Sequence, residues 1–446
     1  MIHDFLLRRG LVLAAPASGS GKTTLTLGLL RALRRRGVAV AGAKVGPDYI
    51  DPGFHRAASG RASVNLDPWA MRVETIAGAI AGIEAELVLC EGVMGLFDGA
   101  GAGGDKGSTA DLAALTGWPV VLVVDAGGQS ASVAALLQGF ATHRSDVPLA
   151  GVIFNRVGSE RHAAMLRAAT AKALPDLPIL GAVPRRDGLV LPSRHLGLVL
   201  AEEHAALDQF VDQAADAMAA AVDLDALTAL ARPARLDGPE DAIPIAPLGQ
   251  RIAVAQDRAF AFAYPHLLDG WRRAGAELLP FSPLVDEAPD AVADAVFLPG
   301  GYPELHAGTL AAAKRFKAGL RRLAEDGAVI YGECGGYMVL GETLIDGAGV
   351  SHAMAGLLPV VTSFAAPRRR LGYRQVTGLA GPWRGQSFRA HEFHFAEEPA
   401  RRAGAALFAC RDADGNDLAA AGAVLGKVAG SFIHLIDRLA ESPPNR

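Results

Sequence analysis

The sequence predicts two α/β domains in tandem, each built on an open, mostly parallel sheet. Two observations carry that expectation. Short apolar runs rich in valine, isoleucine and leucine alternate with longer Ala/Leu/Arg segments, the rhythm of strands buried on both faces and covered by helices. Around residues 231–250 the rhythm stops in "ARPARLDGPEDAIPIAPLGQ", which holds four prolines and no usable period, and then resumes, so the stretch reads as a linker. At 446 residues the chain also exceeds one ordinary domain.

Taken in order, the first half opens with the strand "GLVLAAP". A glycine-rich turn follows, and then the helical run "TTLTLGLLRALRRRG", which stops at Gly37. The strands "VAVAGAKVG", "AELVLCEG", "PVVLVVDAG", "AGVIFNRV" and "PILGAVP" complete that half. Beyond the linker come "RIAVAQD", "ADAVFLPGG", "GAVIYGECGG" and a late strand in "VAGSFIHLI". No repeat period is evident.

Composition narrows the function. Half of the residues are hydrophobic, 20% are charged and the net charge is -4, a balance that does not point to nucleic acid as a partner. The runs Arg34-Arg35-Arg36 and Arg368-Arg369-Arg370 read as solvated faces or local anion contacts. Three widely spaced cysteines, Cys90, Cys334 and Cys410, give neither a disulfide framework nor a metal-type pair, which fits a reduced, cytoplasmic compartment. The paired arginines near the N-terminus mimic an export leader, but the apolar run Leu11 to Ala15 is too short for one. No apolar stretch approaches the ~20 residues that span a bilayer.

The stretch "APASGSGKTTL" follows a strand and opens a helix, the setting of a phosphate loop. Gly19 and Gly21 let backbone N–H groups face phosphate oxygens, Lys22 reaches the terminal phosphates, and Thr23 offers a hydroxyl to Mg²⁺ beside Thr24. Pro16 stands where such loops usually begin with glycine. Acidic residues follow the next strands. "KVGPDYIDP" carries Lys44, Asp48 and Asp51, and "LVLCEGVMGLFDG" carries Glu91 and Asp98. Strand C-termini of an open parallel sheet line one crevice, so Asp48 and Glu91 are the expected metal ligands. Lys44 is expected to screen charge on a transferring phosphoryl group. Asn155, closing "GVIFN", is either an adenine-reading amide or a turn residue.

The second signature is "VIYGECGGYMVLGE", an apolar strand, a glycine corner and a helix. Cys334 at that corner is expected to face a crevice and the positive end of the helix, which favours its thiolate. Cys90 and Cys410 read as packing residues. Backbone N–H groups at Gly301, in "FLPGGYPELH", and at Gly335 are candidates for an oxyanion hole. The general base is expected to be His434, with His391, Glu392 and His394 of "HEFHF" as the second choice.

With both signatures read, the chain resembles the cobyrinic acid and hydrogenobyrinic acid a,c-diamide synthase family. The resemblance runs through "KVGPDYIDP", "EGVMGLFDG", "LPSRHLGLV", "FLPGGYPELH", "GECGGYMVLG" and "HEFHF" and covers nearly the whole chain. It implies a dethiobiotin-synthetase-like P-loop amidoligase domain over residues 1–232, a linker over 233–250, and a class I glutamine amidotransferase domain over 251–446. It further implies that Cys334 and His434 release ammonia from glutamine. ATP with Mg²⁺ then phosphorylates the a and c acetates of a corrinoid, which ammonia converts to amides. Tyr49 and Asp98 are the implied substrate contacts, and Ser193, Arg194 and His195 serve either substrate or nucleotide. A cobyric acid synthase on the same plan, or a partitioning-type nucleotide switch, is the alternative; such switches carry a second lysine early in the phosphate loop, where this chain has Ala17. A homodimer is allowed. Many class I amidotransferases place a glutamate two residues after the histidine. Ile436 stands there, so either a Cys–His dyad suffices or a distant carboxylate such as Glu392 orients the ring.

Overall fold

A computed structural model describes residues 8–186, 188–189, 200–203, 206–236, 242–401 and 404–439. Ser193, Arg194 and His195 lie outside the described residues. The chain divides into two units, Met1–Trp69 with Ile76–Glu240 and Ala70–Thr75 with Asp241–Arg446.

In the first unit β1 (Arg9–Ala14) leads into α1 (Lys22–Arg35). There follow β2 (Val40–Val45), α2 (Asp51–Ser59), β3 (Val64–Leu66), β4 (Leu87–Glu91), β5 (Val120–Asp125), β6 (Leu149–Val157), β7 (Ile179–Pro184) and β8 (Arg232–Pro233). The sheet runs β3-β2-β4-β1-β5-β6-β7 with parallel neighbours, and β8 pairs antiparallel with β1. β2 and β4 are buried at every position, and β1 and β5 at all but one, which is why these segments read as unbroken apolar runs. Strands lie on both sides of β1, so the crevice of the sheet opens at the C-terminal ends of β1, β2 and β4.

α1 buries Leu25, Leu29 and Leu33 in one core with Phe210, Val211 and Met218 of the helix Leu207–Ala221. The two backbones meet so closely at Gly28 that an added Cβ would lie 2.7 Å from Ala214 O. Arg31 bridges Asp208 and Asp212 at 2.8 and 2.6 Å, Arg35 meets Asp216 at 2.7 Å and Arg36 meets Asp225 at 2.6 Å. Arg31, Arg35 and Arg36, along the C-terminal half of α1 and its cap, therefore serve local ion pairs, each worth about 0–1 kcal/mol where exposed.

The second unit starts as expected with β9 (Arg251–Ala255), β10 (Glu277–Phe281), β11 (Ala295–Leu298) and β12 (Val329–Glu333). It continues with β13 (Thr343–Ile345), β14 (Ser351–Ala353), β15 (Val360–Ser363), β16 (Arg370–Gly378), β17 (Ser387–His394) and β18 (Glu397–Arg401). β19 (Phe408–Arg411), β20 (Asp417–Ala421), β21 (Ala423–Leu425), β22 (Val428–Ser431) and β23 (Ile433–Arg438) complete it. One sheet runs β10-β9-β11-β12-β22-β21, parallel as far as β22. A mixed sheet, β14-β13-β15-β18, and an antiparallel one, β20-β19-β16-β17-β23, go beyond the parallel architecture read from the sequence.

The late run "VAGSFIHLI" is likewise not one strand. It changes sheets at Phe432, so β22 lies beside β12 while β23 lies beside β17. Asp437 of β23 is fully buried and binds Arg72, from the Ala70–Thr75 excursion, through the Arg72 backbone N–H at 2.8 Å and Nη2 at 2.9 Å. Among the described residues no helix is long and apolar enough to cross a membrane.

Candidate active sites

Parallel register builds the first site. Lys44 on β2 stands beside Glu91 on β4, and Leu13 of β1 flanks Glu91 on its other side. Lys44 Nζ meets Glu91 Oε1 at 3.0 Å and Asp51 Oδ2 at 2.6 Å. Thr23, on the first turn of α1, donates its hydroxyl to the same Glu91 Oε1 at 2.6 Å. Burial works against the Glu91 charge, but Lys44, His55 and Thr23 outweigh it and hold the carboxyl well below its usual range. Burial, with Asp48 second, pushes Asp51 up to about 7.

The phosphate loop has the conformation its glycines permit. Gly19 and Gly21 have φ of 80° and 93°, and the space beside Gly19 is open. Lys22 donates Nζ to Met94 O, and burial followed by Lys44 lowers it to about 8. Asn155 donates its amide nitrogen to Ser20 O at 2.9 Å, and a Cβ on Gly21 would overlap that nitrogen. Here Asn155 braces the loop. Thr24 is half-buried on the same turn.

Two of the expected site residues are engaged within the protein. Lys44 is buried and shared between Asp51 and Glu91. Asp48 turns Oδ1 onto the backbone N–H groups of Ile50 at 2.7 Å and Asp51 at 3.0 Å, so that oxygen caps its own loop. Tyr49 is half-buried in that loop, and Asp98, exposed after β4, accepts from Gly95 N at 2.9 Å.

Sequence reasoning missed His55. Its Nε2 meets Glu91 Oε2 at 2.8 Å and its Nδ1 meets Ser63 Oγ at 3.2 Å, which leaves Oε1 to face Thr23. The available signal was its place one helical turn after Asp51. Gly42 makes the room, since a Cβ there would lie 2.6 Å from that of His55. Among the described residues no group of three His, Cys, Asp or Glu side chains is set to hold a metal by itself. Thr23 and Glu91 nevertheless converge as two oxygen donors, the partial set that suits a hard cation also held by phosphate.

In the second site Cys334 has φ 46° and ψ -102°, a strained corner of the kind that carries nucleophiles between strand and helix. The corner needs its glycines. A Cβ on Gly332 would lie 2.7 Å from the Gly336 carbonyl carbon, and one on Gly336 would overlap Leu298 O. Gly335 packs on Gly301, with its added Cβ 3.0 Å from Gly301 N, so the two glycines expected to supply oxyanion amides are neighbours. His434 and Cys334 flank Gly300, where a Cβ would lie 3.2 Å from His434 Nε2 and 3.3 Å from the cysteine Cβ.

The thiol itself is not exposed, contrary to expectation. Cys334 is 4% accessible within the apolar core, and burial followed by Glu304 pushes it up rather than toward the thiolate. The helix behind it, Gly335–Leu340, is too short to offset this. The sequence left open whether a carboxylate supports His434, and Glu333 occupies that position. Its Oε2 lies 3.5 Å from His434 Nδ1 while its Oε1 accepts from Leu435 N at 3.0 Å.

Glu392 serves elsewhere, on Arg374 at 2.7 Å and His394 at 2.9 Å. Burial lowers His391 to about 3, and His394 stacks on Phe432 at 3.9 Å, so neither has the setting of a base. Cys90 is fully buried in β4, and burial pushes Cys410 up to about 11.

Residues 11–199 match the CobQ/CobB/MinD/ParA nucleotide binding domain, and residues 251–439 match the CobB/CobQ-like glutamine amidotransferase domain. A hydrogenobyrinate a,c-diamide synthase of Brucella abortus biovar 1 is 57% identical over 443 residues, covering 97% of this chain and 100% of that one. The chain belongs to the hydrogenobyrinate a,c-diamide synthase family. Synthases of that name from a Sinorhizobium species and from Rhodobacter capsulatus are each 55% identical, covering 96% of this chain and 98% of theirs. Membership in the a,c-diamide synthase family makes the protein an amide-forming ligase that joins a nucleotide-binding domain to a glutamine amidotransferase domain.

Proposed function

We propose that the protein converts the a and c acetate side chains of hydrogenobyrinic or cobyrinic acid to amides, in cobalamin biosynthesis, with ATP and glutamine as co-substrates. The observation that carries the reading is the presence, in one chain, of the Thr23–Glu91 phosphate cradle and the Cys334–His434–Glu333 cluster. Amide formation from a carboxylate needs a leaving group better than hydroxide and a source of neutral ammonia. Residues 1–232 supply the first and residues 251–446 the second.

Backbone N–H groups around Gly19 and Gly21, with Lys22 and Thr24, bind the nucleotide phosphates. Thr23 and Glu91, with Asp48, would hold Mg²⁺, which when bound neutralises phosphate charge. An acetate oxygen attacks the γ-phosphorus, ADP leaves, and the acyl phosphate then loses phosphate to ammonia. Tyr49 and Asp98 contact the corrinoid. Lys44 and His55 hold Glu91 ionised and aimed.

In the other site His434 takes the Cys334 proton as sulfur attacks the glutamine amide carbon. Gly301 and Gly335 N–H groups receive the developing oxyanion. Ammonia leaves with the proton from His434, and water, deprotonated by His434, frees glutamate from the thioester. Glu333 keeps Nδ1 of the imidazole oriented and offsets its charge.

Mass spectrometry of hydrogenobyrinic and cobyrinic acids after incubation with enzyme, ATP, Mg²⁺ and glutamine tests the reading. A gain of two amides is expected. Both acids left unmodified while their a,c-diamides are consumed would instead identify a cobyric acid synthase. Cys334→Ser is expected to abolish glutamine use and keep amidation from added ammonia.

A further inference from the structure

We infer that Glu304 binds the α-ammonium group of glutamine and thereby selects glutamine over other primary amides at Cys334. This rests on the reading of Cys334 as the glutamine-hydrolysing nucleophile.

Glu304 lies on the single turn Pro303–His306, just after Gly301. The turn packs directly on the nucleophile corner, since a Cβ on Gly335 would lie 2.9 Å from Pro303 Cδ and 3.0 Å from Gly301 N. The carboxylate is thus carried by the segment that walls one side of the thiol. Although part of the residue reaches the surface, its Oε2 is out of contact with solvent and has no hydrogen-bond partner among the described residues.

The other acids that oppose ionisation of Cys334, Glu333 and Glu392, are engaged, as is Glu398. Glu333 serves Leu435 N and His434, Glu392 serves Arg374 and His394, and Glu398 accepts from Tyr337 at 2.9 Å. Of the acids that oppose ionisation of Cys334, Glu304 acts most strongly. Burial pushes Glu304 itself up to about 7.

A carboxylate oxygen withdrawn from water without a partner is a standing cost that a cation relieves. Glutamine carries such a cation four bonds from the amide carbon that sulfur attacks. Seating it on Glu304 fixes the amide at Cys334 and cancels the charge that most opposes the thiolate. One contact then supplies both recognition and activation, and the buried thiol stays protonated until an amino-acid amide arrives.

Hydrolysis of glutamine and of its des-amino analogue glutaramate, compared in wild type, Glu304→Gln and Glu304→Asp, tests the assignment. Wild type is expected to favour glutamine by about 10- to 100-fold in kcat/KM, the worth of a charged hydrogen bond. Glu304→Gln should lose most of that preference by slowing glutamine alone, and Glu304→Asp should retain part of it. A preference unchanged in Glu304→Gln overturns the assignment, as does an equal loss on both amides. Glutamine hydrolysis that survives Cys334→Ser would overturn the underlying reading instead.

Discussion

Gly300 stands where the proposed nucleophile Cys334 and the proposed base His434 meet, and replacing it with alanine isolates their alignment. A methyl group there would fall about 1 Å inside van der Waals contact with His434 Cε1, with Nε2 at 3.2 Å and the Cys334 Cβ at 3.3 Å also pressed. Neither neighbour has slack. His434 is 1% accessible, and the cysteine backbone is fixed by its N–H bond to Ser431 O at 2.8 Å. The imidazole must therefore move by about 1 Å, a displacement that costs about 10²-fold in rate. Overpacking should also lower stability by about 1–3 kcal/mol. The assay is glutamine hydrolysis by Gly300→Ala beside ammonia-driven amidation by the same preparation. Expected is a loss of about 10²-fold in glutamine hydrolysis with the ammonia reaction kept. Glutamine hydrolysis within about threefold of wild type would refute the idea that Gly300 sets the pair's spacing.

Other outcomes follow from the same geometry. Glu333→Gln keeps an acceptor for Leu435 N but removes the charge beside His434, so kcat for glutamine hydrolysis should fall by about 10²- to 10⁴-fold with KM little changed; steady-state kinetics with a KM rise alone would contradict that role. Arg72→Ala takes the guanidinium from buried Asp437, which keeps its backbone N–H donors, and should cost about 3–5 kcal/mol, read as a shift in denaturant midpoint; a change under about 0.5 kcal/mol would contradict it. Lys22, lowered to about 8 chiefly by burial, binds fewer protons folded than unfolded between that pH and its ordinary value of 10.5, so its contribution to stability rises with pH there. Nucleotide phosphates restore its charge, and ATP binding at a pH of about 8.5 should take up protons; calorimetric heats that do not depend on buffer ionisation would exclude this.

The first unit could be read well from sequence because its central strands are buried on both faces and announce themselves as apolar runs. The phosphate loop, Glu91, Cys334 and His434 stand out in the sequence because each sits at a strand end or a glycine corner, a local signal. What escaped depended on distance. β16 is half-exposed and mixes arginine with glycine, and β13 to β15 are three or four residues long, so their pairing has no periodic signature. His55 and Glu333 acquire their roles from partners 36 and 101 positions away, supplied by sheet register rather than by neighbours in sequence. The corner at Cys334 announces a nucleophile but not its accessibility, which is decided by Tyr337, Phe432 and the other residues packed into that core.

The change of sheets at Phe432 leaves the proposed catalytic pair no tolerance in length. Ser431 is tied to the cysteine amide, and the imidazole follows three positions on, at the start of a strand whose side chains alternate between faces. Adding or deleting a single residue in that interval would turn the ring to the opposite side of β23 while leaving both sheets intact. The span 431–434 works as a ruler, and chemistry at the thiol depends on its length more than on the identity of the residues within it.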